Sequence, residues 1–412
     1  MYIASVPQAA FLAFLWLQSL ESTWATPART QGFLAIPLTK TYNLPSSQLD
    51  EPNALFANGG ELAGTIQSPT ADAIHSLGLD IEGDDYGYVA SMLIGTPPRP
   101  FRLLVDSGSS YLWVGGEGCV MGDGSGDCVS SSNHTLIGPQ SSSTFKDTGA
   151  PFFVKYGSGP VAGHIVSDHV NFAGIDVKDL TFAVALKESR HYGLKSTLYD
   201  GILGLARLLP GQSSFPPLID TLYEQGFIKD PIVSYKIPRR ADHLDDGEVA
   251  IGAMNPAKYK AATVITLPNI GTQRFWEVSL QRVVVNGLRM TWGTRSAVLD
   301  SGSTFILGPR KDIAKVHTAI PGAQYQNGTW AVPCHTDVII SFTFGDRTFP
   351  IPARDLPFKP VDKNDPDGLC LSRIGELQGS TDSRWIVGDV FLKNIYFSTH
   401  LGKNEISIAE LA

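Results

Sequence analysis

The sequence carries little charge and no basic excess: Asp, Glu, Lys and Arg make up only 17% of its 412 residues, and the formal net charge is −8. With no broad positive field to attract polyanions, nucleic acid and anionic lipid surfaces are excluded as partners. Cysteine is scarce. The four cysteines and the histidines form no cluster at metal-ligand spacing, so neither a metal nor an organic cofactor is expected. Long apolar runs are also lacking. The run Phe11 to Leu17 is shorter than the roughly 20 residues that cross a bilayer, and the tail after His400 is too polar for a lipid-anchor signal. No membrane contact is expected of the mature form. Helical periodicity is sparse, with Phe215 to Gln225 and Arg310 to Ala319 as the candidates.

What is present is enough apolar material for folded cores, 43% of the chain, and a length that calls for two domains of roughly 150 to 200 residues each. The early apolar run is followed by Thr23-Trp24-Ala25, small residues where a signal peptidase cuts, so residues 1–25 read as a signal peptide although no basic residue precedes the run. Residues 26–80, rich in Pro, Ser, Ala and Gly, read as a propeptide. The expected destination is the extracellular medium, with a vacuole or other acidic compartment as the second choice. The cysteines form two sequence-local pairs, Cys119 with Cys128 and Cys334 with Cys370. In a secreted chain disulfides are favoured over metal ligation, though other pairings stay open. Asn133 and Asn327 head glycosylation tripeptides.

From Tyr86 onward, short β-branched and aromatic runs alternate with Gly and Pro turns: Tyr88 to Ile94, Phe101 to Val105, Phe152 to Tyr156 and Leu180 to Ala185. That spacing predicts an all-β protein. A weak internal repeat accompanies it. Val105-Asp106-Ser107-Gly108-Ser109-Ser110 recurs as Leu299-Asp300-Ser301-Gly302-Ser303-Thr304, and each copy has a distant apolar-apolar-Gly partner, Ile202-Leu203-Gly204 and Ile386-Val387-Gly388. Asp-Ser-Gly-Ser alone is an ordinary turn. Twice, with matching partners, it implies two related lobes: residues 81–255 with the first Asp, and 256–412 with the second.

Two carboxylates on turns that follow buried strands can meet at a pseudo-twofold axis. Like charges so close share one proton, so Asp106 can act as base or acid against Asp300 on a bound water and an amide carbonyl. Gly108 and Gly302 permit close backbone approach. The hydroxyls of Ser107 and Ser301 can bridge the two loops, and those of Ser109 and Ser303 can bond the outer carboxylate oxygens.

Asp85-Tyr86-Gly87-Tyr88, Ile94-Gly95-Thr96-Pro97-Pro98 and Val105 through Val114 resemble the opening of pepsin-like aspartic proteases. Ser142-Ser143-Thr144-Phe145, Tyr156-Gly157-Ser158-Gly159, Asp200 to Leu205, Asp300 to Thr304 and Ile386 to Phe391 follow in that family's order. The resemblance implies a bilobal fold with the cleft between lobes, and an aspartic endopeptidase that acts at acidic pH on proteins and peptides, preferring bulky apolar residues beside the scissile bond. It implies a flap bearing Tyr156, Gly157 and Ser158, with Trp113 bonding the Tyr156 phenol, and a monomer held silent by its own propeptide. It also implies a short disulfide in the first lobe and a longer one in the second. The alternatives are a catalytically inactive pepsin-fold peptide-binding or inhibitor protein and a two-carboxylate glycosidase. The chain departs from the family in three ways. Ser stands where Thr is usual in both motifs, Phe397-Ser398-Thr399-His400 lacks the usual aspartate, and the expected propeptide has only Arg29 and Lys40 against Asp50, Glu51, Glu61, Asp72 and Asp80. Weak self-inhibition, or reliance on Lys40, follows as an expectation.

Overall fold

The structure, a computed structural model, describes residues 74–412 apart from 84, 129–133, 193–196, 209–214, 273 and 378–382. The expected signal peptide, residues 26–73 of the expected propeptide and Asn133 lie outside the described residues. Strands dominate, with three short α-helices among the described residues, so the all-β expectation holds.

The first half contributes eleven strands. They are β1 (His75–Gly78), β2 (Asp80–Glu82), β3 (Gly87–Ile94), β4 (Arg99–Asp106), β5 (Leu112–Met121), β6 (Lys146–Tyr156), β7 (Gly159–Phe172), β8 (Ile175–Glu188), β9 (Gly201–Gly204), β10 (Ile232–Lys236) and β11 (Glu248–Ile251). Strands β2 to β9 form one sheet in the order β2-β3-β4-β9-β5-β8-β7-β6. Within it β4 runs parallel to β9, with Asp106 opposite Gly204, and β5 runs antiparallel to β9. The second half repeats the arrangement: Arg295–Leu299 runs parallel to Arg384–Val387, and Ile306–Gly308 antiparallel to it.

The apolar-apolar-Gly partners now have a physical reason. A Cβ on Gly204 would sit 2.4 Å from the Tyr111 amide nitrogen, and one on Gly388 would sit 2.0 Å from the Ser303 carbonyl oxygen. Only glycine lets each partner strand pass the Asp turn that closely. The apolar residues before it, Ile202-Leu203 and Ile386-Val387, are all buried.

The halves are joined by a six-stranded sheet in the order β1, β11, β10, Tyr396–His400, Glu405–Ala409, Ile265–Pro268. Tyr235 on β10 stacks on Phe397 from the other half, with centroids 4.3 Å apart. Strand β1 pairs in register with β11, so residues on the N-terminal side of the expected propeptide boundary at 80 are strand residues of this sheet. In the stretch that lacks the family's aspartate, Ser398 and Ser234 hydroxyls meet at 3.0 Å, and the Thr399 hydroxyl donates to the Val233 carbonyl. Hydroxyls therefore satisfy this crossing without a carboxylate.

The expected helices appear as Leu218–Glu224 and Arg310–Thr318. The second braces the Asp300 strand: Arg295 grips Asp312 with two nitrogens, and the indole of the buried Trp385 donates to the same carboxylate. Burying an aromatic of that size contributes about 3 kcal/mol. Both disulfides form as sequence-local pairs, Cys119–Cys128 and Cys334–Cys370. No helix among the described residues is long and apolar enough to cross a membrane.

Candidate active site

Asp106 ends β4, and Asp300 directly follows the strand Arg295–Leu299. Each therefore leaves a rigid, buried strand into a glycine-bearing turn. The Gly108 and Ser109 amides donate to one Asp106 oxygen at 2.8 and 3.1 Å, and the Ser109 hydroxyl donates to the other at 2.5 Å. Around Asp300 the Gly302 amide donates at 2.9 Å and the Ser303 hydroxyl at 2.7 Å. The turns mirror one another.

Ser107 and Ser301 bind the turns together. Each hydroxyl donates to a backbone carbonyl of the opposite strand, Leu299 and Val105 respectively, and accepts the other serine's amide N–H. Gly108 lies against the second acid: a Cβ there would be 2.4 Å from a carboxylate oxygen of Asp300. Thr304, the last residue of the second motif, turns away and donates to the Tyr86 carbonyl.

Both carboxyls are nearly inaccessible, 2% and 1% exposed. Burial pushes both pKa values up, and the neighbouring Asp106 charge pushes Asp300 higher still. Hydrogen bonds from Ser109 and Gly108 to Asp106, and from Ser303 and Gly302 to Asp300, offset part of each rise, and the pair titrates as a unit. Such a pair, one proton between two carboxyls, is suited to activating a water and protonating a carbonyl oxygen in a single site.

A hairpin reaches over this pair. Tyr156 closes β6 and pairs with Gly159 at the start of β7, leaving Gly157 and Ser158 at the tip. Gly159 adopts a φ of 127°, a conformation other residues avoid. The Trp113 indole donates to the Tyr156 hydroxyl at 3.0 Å. Burial, followed by the Asp106 charge, raises the Tyr156 phenol pKa, so the phenol stays neutral. Asp106, Asp300, Ser107, Gly108, Ser109, Ser301, Gly302 and Ser303 thus lie together, with Tyr156 and Trp113 beside them. Cys119, Cys128, Cys334, Cys370 and Asn327 are elsewhere. Asn327 occupies a hairpin turn between Gln324–Gln326 and Thr329–Pro333.

Several charged residues lie around the site beyond those expected to act in it. Asp389 follows Gly388, is buried, and neither carboxylate oxygen has a hydrogen-bond partner. Burial, then the Asp300 charge, holds its pKa well above the usual carboxylate range. Lys393, one helical turn on, is paired with Asp85 at 3.0 Å and Asp355 at 3.3 Å. Arg239 grips Asp355 with two nitrogens at 3.0 and 2.9 Å. Among the described residues one trio of ligand-type atoms comes together, Cys119, Cys128 and Glu188. The two sulfurs are bonded to each other, which leaves no thiolate for a metal.

The sequence pattern of the eukaryotic aspartyl protease family matches residues 87–411. The chain is 29% identical to the aspartic-type endopeptidase ctsD of Aspergillus fumigatus over 77% of its own length and 64% of the relative's. It is 31% identical to human napsin-A over 75% of this chain and 72% of that one, and 29% identical to pepsin A of Suncus murinus over 80% and 82%. The chain spans 64% of the length of three of its fungal relatives, the ctsD protein of Aspergillus fumigatus among them. A match that starts at the first residue of β3 and ends at the penultimate residue encloses both Asp turns, the flap hairpin and both glycine partners, and the chain belongs to the eukaryotic aspartyl protease family.

Proposed function

We propose that the protein is an aspartic endopeptidase that hydrolyses peptide bonds of proteins in acid, using a water held between Asp106 and Asp300. The observation that carries this reading is two desolvated carboxyls on mirrored turns, cross-tied by Ser107 and Ser301. One acid keeps a proton while the other is ionised, a sharing of which aspartic proteases are the type example. The ionised partner takes a proton from the water as its oxygen attacks the carbonyl carbon, and the protonated partner gives its proton to the carbonyl oxygen. Collapse of that tetrahedral species breaks the C–N bond: the departing nitrogen takes a proton from the carboxyl that received it from the water, and one hydroxyl of the tetrahedral species gives its proton to the other carboxylate, so the dyad ends with its single proton. No covalent enzyme intermediate forms.

Ser109 and Ser303 hold the outer oxygens so that the inner ones face the water. Gly108 and Gly302 supply amides that favour the ionised form, and Tyr156, Gly157 and Ser158 cover the bound peptide and exclude bulk water. Trp113 steadies Tyr156. A preference for bulky apolar residues on both sides of the scissile bond, a monomeric state, restraint by the chain's own propeptide and secretion complete the reading, all by family likeness.

The test is digestion of acid-denatured globin by the mature form from about pH 2 to about pH 7, with and without pepstatin. Cleavage confined to acid and abolished by pepstatin is expected. An absence of cleavage, or cleavage indifferent to pepstatin, removes the reading.

A further inference from the structure

The tip of the flap is bolted to the protein at a place the catalytic reading does not require. Tyr192 lies in the turn that follows β8, where its amide donates to the Ser189 carbonyl at 3.0 Å. It is 2% exposed. Its hydroxyl shares a hydrogen bond of 2.5 Å with the hydroxyl of Ser158, one of the two residues at the hairpin tip. Its ring stands edge-on to Trp113, with centroids 5.3 Å apart, and to Tyr156, at 6.2 Å.

The same turn holds the flap twice more. The Ser189 hydroxyl donates to the Ser158 carbonyl at 3.0 Å, and the Ser189 amide donates to the Pro160 carbonyl at 3.0 Å. Contact there is so close that a Cβ on Gly159 would be 2.3 Å from the Ser189 hydroxyl oxygen. A two-residue hairpin tip has few bonds of its own, so its opening is governed by whatever its side chains grip. Of the three bonds, the one between Ser158 and Tyr192 joins two side chains and can be removed without touching backbone.

We infer that Tyr192 is a flap-positioning residue: its hydroxyl latches Ser158, and flap opening requires that bond to break. The inference rests on the endopeptidase reading for its effect on turnover, but not for its effect on the flap. Burial, then neighbouring Tyr199 and Tyr156, keeps the Tyr192 phenol neutral far above any acid working range, so the latch is insensitive to pH. Substrate binding needs the flap down over the peptide, so a loosened latch weakens binding more than it slows the chemical step.

The experiment uses the mature protein and four variants: Tyr192→Phe, Ser158→Ala, the double variant, and Ser158→Thr. Phenylalanine keeps both ring contacts and deletes only the hydroxyl. Amide hydrogen exchange across residues 156–159 is expected to quicken about fivefold in either single variant, which is the effect of one neutral hydrogen bond. KM should rise by a similar factor with kcat within about twofold, because the loss falls on binding. The double variant should be no worse than either single one, since both remove the same bond. Ser158→Thr, which keeps a hydroxyl, should keep flap exchange at the wild-type rate. Faster exchange in Tyr192→Phe from a protein that cleaves nothing supports the latch and removes the endopeptidase reading. Unchanged flap exchange in Tyr192→Phe, or effects that add in the double variant, overturns the latch.

Discussion

The hydroxyl of Ser107 and the hydroxyl of Ser301 make the same bonds in opposite directions: each accepts the other residue's amide and donates to the carbonyl two positions before the other. Four buried polar groups from two distant turns are satisfied by two side chains. Replacing either serine by alanine orphans a buried amide and a buried carbonyl at once. Ser107→Ala is therefore expected to destabilise the fold by about 2–3 kcal/mol and to misalign the carboxyls. Ser107→Thr, which keeps the hydroxyl, should lose little. Urea unfolding of the two variants checks this; an alanine variant as stable as wild type would show that the turns are held by something else.

Glycine at the partner positions is a matter of space. Gly388→Ala puts a Cβ 2.0 Å from the Ser303 carbonyl oxygen, and backbone on backbone cannot rotate away. A cost of about 3 kcal/mol is expected, with loss of activity from displacement of the Asp300 turn. Thermal unfolding and activity measured together test it: an active, stable Gly388→Ala variant contradicts the account of why the motif is apolar-apolar-Gly.

The charge network around Lys393 makes a different prediction. Lys393 is 2% exposed and faces Asp85 and Asp355, both buried. Lys393→Met leaves those carboxylates without their shared cation, and removing one partner of a buried pair costs about 3–5 kcal/mol. Adding Asp85→Asn to that variant should recover part of the loss. If the single substitution is neutral, the network does not hold the halves together.

Stability should depend on pH in a direction set by the buried acids. Burial raises the pKa of Asp106 and, together with the Asp106 charge, that of Asp300; it also raises Asp389 and lifts Glu188 to about 7. Such groups hold a proton more tightly folded than unfolded, so their contribution is fully present below the ordinary carboxylate value of about 4 and is lost as pH rises through the folded values. For Glu188 that loss is centred on the window ending at about 7. Asp355 opposes them: although burial pushes it upward, Arg239 and Lys393 hold it low, and its contribution is lost only as pH falls below the usual carboxylate range. His317, which burial holds down at about 4, works against the raised acids as pH rises toward the ordinary imidazole value, so the difference between variants is the test: the melting temperature of wild type should fall relative to that of Glu188→Gln from about pH 5 to about pH 7.5. A wild-type advantage that grows over the interval contradicts this assignment.

The fold and the dyad were legible in the sequence because their signal is local. Asp-Ser-Gly-Ser, the glycine partners and the flap glycines each encode a constraint on a few adjacent residues, and duplication made the pattern stand out. Strand length was less legible. The run β7 to β8 extends well past Leu180 to Ala185 because His164, Asp168 and His169 interrupt the apolar pattern while the backbone ladder continues. Asp389, Lys393 and Tyr192 were not legible as neighbours of the site. The partners of Lys393 and Tyr192 lie elsewhere in the chain, Lys393 and Asp85 being 308 positions apart, and nothing local in sequence tells a buried polar side chain such as Asp389 from an exposed one. His75–Gly78, within the expected propeptide, has no strand periodicity by itself; it is a strand because β11 offers it an edge.

The most direct measurement of the central claim is the initial rate of globin cleavage in acid by wild type, Asp106→Asn and Asp300→Asn, each shown by circular dichroism to be folded. A fall of about a thousandfold or more is expected in both variants, since each removes one half of a proton relay that the other half cannot replace. Cleavage within about tenfold of wild type in either folded variant would contradict it.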